Sequence, residues 1–446
     1  MLCLPLRSRT VLLLSHLNVC SLTRNNRIGS CGSLSVVKQR ELRFSIHGAA
    51  HNYTAHSKMA DEERSSTTSS FSNSTSPRRQ STYIIPERPV LFNSQYESFL
   101  ESSVDQLQSD FESGARGLAD NALSSLSTLI DLAATTAADR GDLFKMVKGA
   151  AKQLSFARPS MSAAITNCLL HALQQIQGIW DKETKAGSKT PTDLARIAQE
   201  AIGAILKERK ALSVQLGKQF AFWMKQYSLK PCAGDEKHYV HILTLSNSSS
   251  IITALLSTLS RNSNTTLTVT ILESRPRFEG ASMAAQILSS VSEPDKDRLS
   301  IRIAPDCAVA TVAADANVVL LGADRIASNG DVSNKIGSLA AAICARSLNP
   351  SVQVVVVSDS DKIVAAGSEH SPVERHDAKE MTEAWEHLRV APSLRKEVDV
   401  FGEWFEWVEG KWIDVYVTER GIWGRRGVEI AAARVKEIEE KMFGGS

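Results

Sequence analysis

The chain has 446 residues, 43% of them hydrophobic and 22% charged, with a formal net charge of +2. That length holds two or three domains with real cores, and so even a charge balance excludes a dedicated polyanion binder. No apolar run approaches the roughly 20 residues of a membrane helix, so neither a nucleic acid nor a bilayer is an expected partner.

Charge is nonetheless uneven along the chain. Met1 to Arg40 carries six basic residues and no acidic one, and "RSSTTSSFSNSTSPRRQST" further on offers almost nothing to bury. Residues 1–85 therefore read as a disordered or targeting tail, dispensable for folding because ordering it would cost entropy without return. The basic start reads either as a mitochondrial transit peptide or as an extension ahead of a start at Met59. A mitochondrial location goes with the first reading and a cytoplasmic one with the second. The seven cysteines, Cys3, Cys20, Cys31, Cys168, Cys232, Cys307 and Cys344, show no Cys-x-x-Cys spacing and no tight grouping with histidine. Reduced thiols are expected, with no metal and no cofactor.

Residues 86–232 read as an all-α helical domain. "LADNALSSLSTLIDLAATTA", "ITNCLLHALQQIQGIW" and "LARIAQEAIGAILKERKALSVQLGKQFAFWM" repeat apolar residues at three- and four-residue spacing, as amphipathic helices require. The loop "DKETKAGSKTPTD" separates the last two, with Thr190-Pro191 as a helix start.

Residues 233–446 change texture. The β-branched runs "YVHILTL", "LTVTIL", "LSIRIA", "NVVLL", "VQVVVV" and "WIDVYVTE" alternate with helical stretches. This predicts an α/β domain on a mostly parallel sheet. Ligands in such sheets sit beyond the carboxyl ends of the strands, so the residues that follow each strand are the candidates.

Strand one leads into Ser246–Ser250, "SNSSS", which includes Asn247 and reads either as plain helix capping or as an anion site at a helix start. Strand two leads into "ESRPRFEG", where Arg275 and Arg277 offer forked donors to phosphate or carboxylate, or else pair with Glu273 or Glu279 in a solvated loop. After strand three, Asp306 is expected to cap a helix and Cys307 to be a small buried residue. After strand four comes "GADRIASNGDVSNKIGS", residues 322–338. Asp324 lies where an acid or base facing a ligand would lie. Asp331, Asn334 and Lys335 follow on the same connection, and Gly330 and Gly337 permit tight turns. Finally Trp404, Trp407 and Trp412, in "FGEWFEWVEGKWIDVY", read either as interface area or as a cover for the sheet.

The runs "ARPSM" (Ala157–Met161), "ESRPRFEG", "GADRIASNGDVSNKIG" and "VYVTERG" resemble one superfamily over roughly residues 95 to 425. It joins the alpha, beta and delta regulatory subunits of eukaryotic translation initiation factor 2B to the isomerases of methylthioribose 1-phosphate and ribose 1,5-bisphosphate. The resemblance implies a helical domain followed by a Rossmann-like domain of the NagB/RpiA/CoA-transferase-like kind, paired as a homodimer or with related regulatory subunits. It implies a catalytic role for Asp324 and ligand binding by Arg158, Asn334 and Lys335. It places Ser246 where the isomerases carry an active-site cysteine, Leu245 where they carry a histidine, and Glu279 where they carry a glutamine. A serine hydroxyl is far less acidic than a thiol, and a glutamate adds negative charge beside a phosphorylated sugar.

The expected function is therefore an initiation-factor-2B-like regulatory subunit with a pocket for a phosphorylated sugar or nucleotide. The alternative is an aldose–ketose isomerase of a phosphorylated ribose, with Asp324 moving a proton and Arg158, Arg275 and Lys335 holding phosphate.

Overall fold

The computed structural model describes residues 94–228, 237–368, 373–388 and 397–444. The expected tail, residues 1–85, and the expected junction at 232/233 lie outside the described residues. The described residues pack as one compact unit.

Among the described residues, five α-helices precede the sheet: α1 (Ser94–Ser109), α2 (Ala115–Ala134), α3 (Arg140–Ser155), α4 (Ser162–Ala186) and α5 (Pro191–Ser228). The stripe on α2 shows why they assemble. Leu118, Ala119, Ala122, Leu123, Leu126, Leu129, Ile130 and Ala133 are all buried on one face, leaving the polar residues between them outside. The predicted loop before Thr190 is shorter than expected, because "DKETKA" continues α4 and only residues 187–190 connect to α5. Thr190 does start α5. Its hydroxyl accepts from the Asp193 N–H at 3.2 Å while Asp193 accepts from the Thr190 N–H at 3.1 Å, a reciprocal cap.

Helix α5 is 38 residues long and serves two cores. Its first half (Leu194, Ala198, Ile202, Ile205) packs with α1–α4. Its second half (Leu216, Phe220, Trp223, Met224) packs with the strands and the next helix. Helical part and sheet part thereby share one continuous element, which is the physical reason they form one unit.

The sheet part runs β1 (His238–Leu245), α6 (Ser249–Arg261), β2 (Thr265–Leu272), α7 (Glu279–Ser290), β3 (Leu299–Ala304), α8 (Val309–Ala313) and β4 (Val318–Leu321). It continues through β5 (Arg325–Ile326), β6 (Val332–Lys335), α9 (Ser338–Leu348), β7 (Gln353–Val357), β8 (Phe405–Val408), β9 (Val415–Thr418), β10 (Gly421–Trp423) and a last helix, Arg425–Phe443. Seven strands form the main sheet in the order β10-β9-β7-β4-β1-β2-β3, parallel except for β10. Strands β4 and β7 are apolar at nearly every position because both faces are covered. The chain builds outward from β1 to β3, then crosses back to place β4 on the other side of β1. That reversal opens a crevice at the carboxyl ends of β1 and β4, the location where doubly wound sheets bind ligands.

One feature departs from a simple strand-to-helix connection. Residues 325–335 fold into a hairpin, β5 and β6, which pairs with β8 as a separate antiparallel sheet. Gly330 permits the turn at φ +89°, and a Cβ there would lie 2.7 Å from the Tyr416 hydroxyl. Asn334 and Lys335 consequently stand on a buried strand instead of a loop.

Candidate functional site

A cavity of about 660 Å³ opens at that reversal, lined by residues from α2, the end of β1, the start of α6 and the "GAD" turn, together with Arg158, Lys335, Lys362 and Trp404. Of the residues singled out from sequence, Arg158, Ser246, Asn247, Arg277, Glu279, Asp324, Asn334 and Lys335 line it. Arg275 and Asp331 do not. The Arg275 side chain is exposed, with its guanidinium 5.5 Å from the Phe278 ring. The Asp331 carboxylate ties the hairpin to the chain beyond β8, accepting from the Gly410 N–H at 2.7 Å and from the Asn329 amide at 2.9 Å.

The turn after β1 is held in an unusual conformation. Ser246 has φ 67° and Ser274, after β2, has φ 58°. The left-handed region costs a non-glycine residue about 1–2 kcal/mol. Surrounding bonds hold it there. The Ser246 N–H donates to the Ser274 hydroxyl at 2.7 Å, and Asp306 accepts from the N–H groups of Ser274 and Arg275, each at 2.8 Å. Asp306 is thus an anchor for the neighbouring loop and not the helix cap expected of it. Cys307 is exposed, not buried as expected. Gly280 lets α7 begin against β2, since a Cβ there would sit 2.0 Å from the Leu272 carbonyl.

Glu279, in the first turn of α7, reaches across the cavity. Its carboxylate lies 2.9 Å from the Lys335 ammonium and accepts from the Ser246 hydroxyl at 3.3 Å. Lys335 is only 6% exposed at its side chain and also stands 4.4 Å from the centre of the Trp404 ring. The Asn334 amide donates to the Ser338 hydroxyl at 2.9 Å, fixing its carboxamide at the cavity wall.

Asp324 is half-buried and its carboxylate has no hydrogen-bond partner among the described residues. Burial pushes its carboxyl above the usual carboxylate range, with Lys362 and then Lys335 pulling the other way. A carboxyl of this kind retains a proton at pH values where an ordinary aspartate has lost it. It is the side chain in the cavity best suited to exchange protons with a ligand.

Sequence reasoning missed part of the site. Asp359 and Lys362 follow β7, where the strand-end rule would have found them had it been applied there too. Burial acts to raise the Asp359 carboxyl, but the Arg116 guanidinium, bonded to both its oxygens at 2.6 and 2.9 Å, holds it below the usual range. Phe111 and Arg116 arrive from a distant segment with no local signal, and Trp404, singled out in the sequence for another role, joins them. Trp404 is buried against His376, with ring centres 4.0 Å apart. It forms a wall of the cavity.

Known proteins resemble this chain in sequence pattern and in fold. The sequence pattern of the Initiation factor 2 subunit family matches residues 112–425. A methylthioribose-1-phosphate isomerase of Natranaerobius thermophilus is 32% identical over 160 residues, covering 35% of this chain and 43% of that protein. The chain thus spans less than half the length of that relative. Two solved structures share the fold. The translation initiation factor eIF-2B of Pyrococcus horikoshii OT3 superposes with a TM-score of 0.52 at 18% identity, over 72% of this chain and 96% of that one. A chain of the tetrameric eIF2B-beta2-delta2 complex of C. thermophilum does so with a TM-score of 0.52 at 16% identity, over 76% of this chain and 95% of that one. With the family pattern running from the helical part through the hairpin to the last strands, the chain belongs to the initiation factor 2 subunit family.

Proposed function

We propose that the protein is a regulatory member of this family whose cavity binds a phosphorylated ribose or a nucleotide-sized ligand without isomerising it. The observation that carries this is the Glu279 bridge between Ser246 and Lys335. Moving a proton between two sugar carbons calls for a group that ionises readily beside the carbons. At the cysteine position implied by the resemblance stands a hydroxyl bonded to a carboxylate, which cannot supply a thiolate. Asp324 remains as the cavity acid with no hydrogen-bond partner among the described residues, and it would meet the ligand's hydroxyl groups. The Lys335 ammonium supplies positive charge for phosphate once Glu279 yields it.

A second reading, an active isomerase, is favoured by the proton-retaining Asp324 carboxyl and by a relative named for that activity. Turnover separates the two. Wild type is expected to bind ribose 5-phosphate and to convert neither that sugar nor methylthioribose 1-phosphate to its ketose. Ser246→Cys is expected to create measurable turnover, and Asp324→Asn in that background to remove it while sparing most of the binding. Wild-type turnover near 1 s⁻¹, at the low end of enzyme rates, would overturn the regulatory reading.

We infer association with a second copy or with a related subunit, because a relative of this fold is named for a four-subunit complex. Light scattering at micromolar concentration should report a dimer or larger. A monomer there would remove the self-association half of this inference.

A further inference from the structure

One end of the cavity gathers three cations around two aromatic rings. Arg158 lies 4.7 Å from the Phe111 ring centre, Arg277 4.6 Å from that of Trp404, and Lys335 4.4 Å from the latter. Phe111 and Trp404 themselves stack with centres 5.9 Å apart. So much positive charge suggests a place for phosphate, yet the guanidinium groups are already engaged.

The shortest carboxylate engagement of each comes from one segment, residues 373–388, while Arg277 also meets the exposed Glu112 carboxylate at 3.3 Å. Glu374 accepts from Arg158 at 2.7 Å and also takes the Ser160 hydroxyl. Glu380 takes the Arg277 Nε–H, and its other oxygen is 2.9 Å from His376 Nδ1. Arg158 further donates to the Asp110 carbonyl, and Arg277 to the Phe111 carbonyl at 3.0 Å. The segment is fixed in place by backbone bonds. The His376 N–H donates to the Gly402 carbonyl and the Trp404 N–H to the Glu374 carbonyl, each at 2.9 Å. Lys335 differs, because its compact ammonium has three donors and, among the described residues, one carboxylate partner. A phosphate can take a share of Lys335 by displacing Glu279 alone.

We propose that Glu374 and Glu380 determine the charge of the ligand: by occupying Arg158 and Arg277 they admit a ribose bearing one phosphate and discriminate against one bearing two. This rests on the reading of the cavity as a phosphosugar site. A second phosphate at the aromatic end would meet two carboxylates, each locked by a further bond, and like charges brought together repel.

Calorimetric titration of the full chain with ribose 5-phosphate and ribose 1,5-bisphosphate tests it. Wild type should bind the monophosphate at least as tightly as the bisphosphate. In Glu374→Gln/Glu380→Gln the ratio of bisphosphate to monophosphate affinity should rise about tenfold or more, the scale of one freed charge-assisted contact. The two single variants should each give part of that rise, and their unfolding temperatures identify a loss of fold. A wild-type preference for the bisphosphate, or an unchanged ratio in folded variants that bind the monophosphate, would overturn the proposal alone. Failure of wild type and every variant to bind either sugar would overturn the phosphosugar reading, and this proposal with it.

Discussion

Replacing Lys335 with alanine should weaken the binding of ribose 5-phosphate by about 2–3 kcal/mol, the scale of a charge-assisted hydrogen bond. Two effects act in the same direction. The ammonium that would face phosphate is gone, and Glu279, 2.9 Å away in the wild type, is left without its cation. An uncompensated carboxylate in a partly enclosed cavity repels an anion. Glu279→Gln should do the opposite and tighten binding, since the amide keeps a contact to Ser246 while releasing Lys335. Calorimetry on both variants checks the pair of signs, with unfolding temperature as the control for fold. An unchanged dissociation constant in Lys335→Ala would sink the cavity as a phosphate site.

The second large effect is on stability. Arg209, on α5, is 7% exposed and bonds Asp120 of α2 at 2.6 Å and Asp361, beyond β7, at 2.5 Å. It joins the helical part to the sheet part directly beside the cavity, which Asp120 also lines. Removing one member of a buried ion cluster costs about 3–5 kcal/mol, because the partners lose their counter-charge. Both aspartates retain some contact with water, at 34% and 22% side-chain exposure, so the lower end of that range applies. Arg209→Ala should therefore lower stability by about 3 kcal/mol, or roughly 4 °C in unfolding temperature for a unit of this size. Arg209→Lys should recover only part, since an ammonium cannot reach both carboxylates with a rigid fork. A loss below about 1 kcal/mol, the level of a surface pair, would show that the cluster is not holding the two parts together.

Legibility in the sequence followed the range of the forces involved. The helices announced themselves through the apolar spacing of "LADNALSSLSTLIDL", and the strands through runs such as "VVLL" and "VQVVVV", because burial on one face or on both is written into neighbouring residues. The strand-end rule then found Ser246, Asp324 and Lys335, and the family resemblance added Glu279; all four line the cavity. It also produced Arg275 and Asp331, which do not, because a short segment does not reveal which side chains its loop turns inward. Arg275 faces out because its own N–H is tied to Asp306 and its side chain lies by Phe278.

The order of helices and strands, the parallel sheet and the approximate position of the site were all legible along the chain. Each of these depends on periodicity or on a motif within one stretch of chain. Long-range packing was needed to close "GADRIASNGDVSNK" into a hairpin against β8, to bring Trp404 to the cavity wall, and to set Glu279, Glu374 and Glu380 each against a cation there. In those pairs the partners are between 56 and 216 residues apart in the chain. The pairing energy of two charges depends on their distance in space and on the water excluded around them, and neither is recorded in a local pattern of residues.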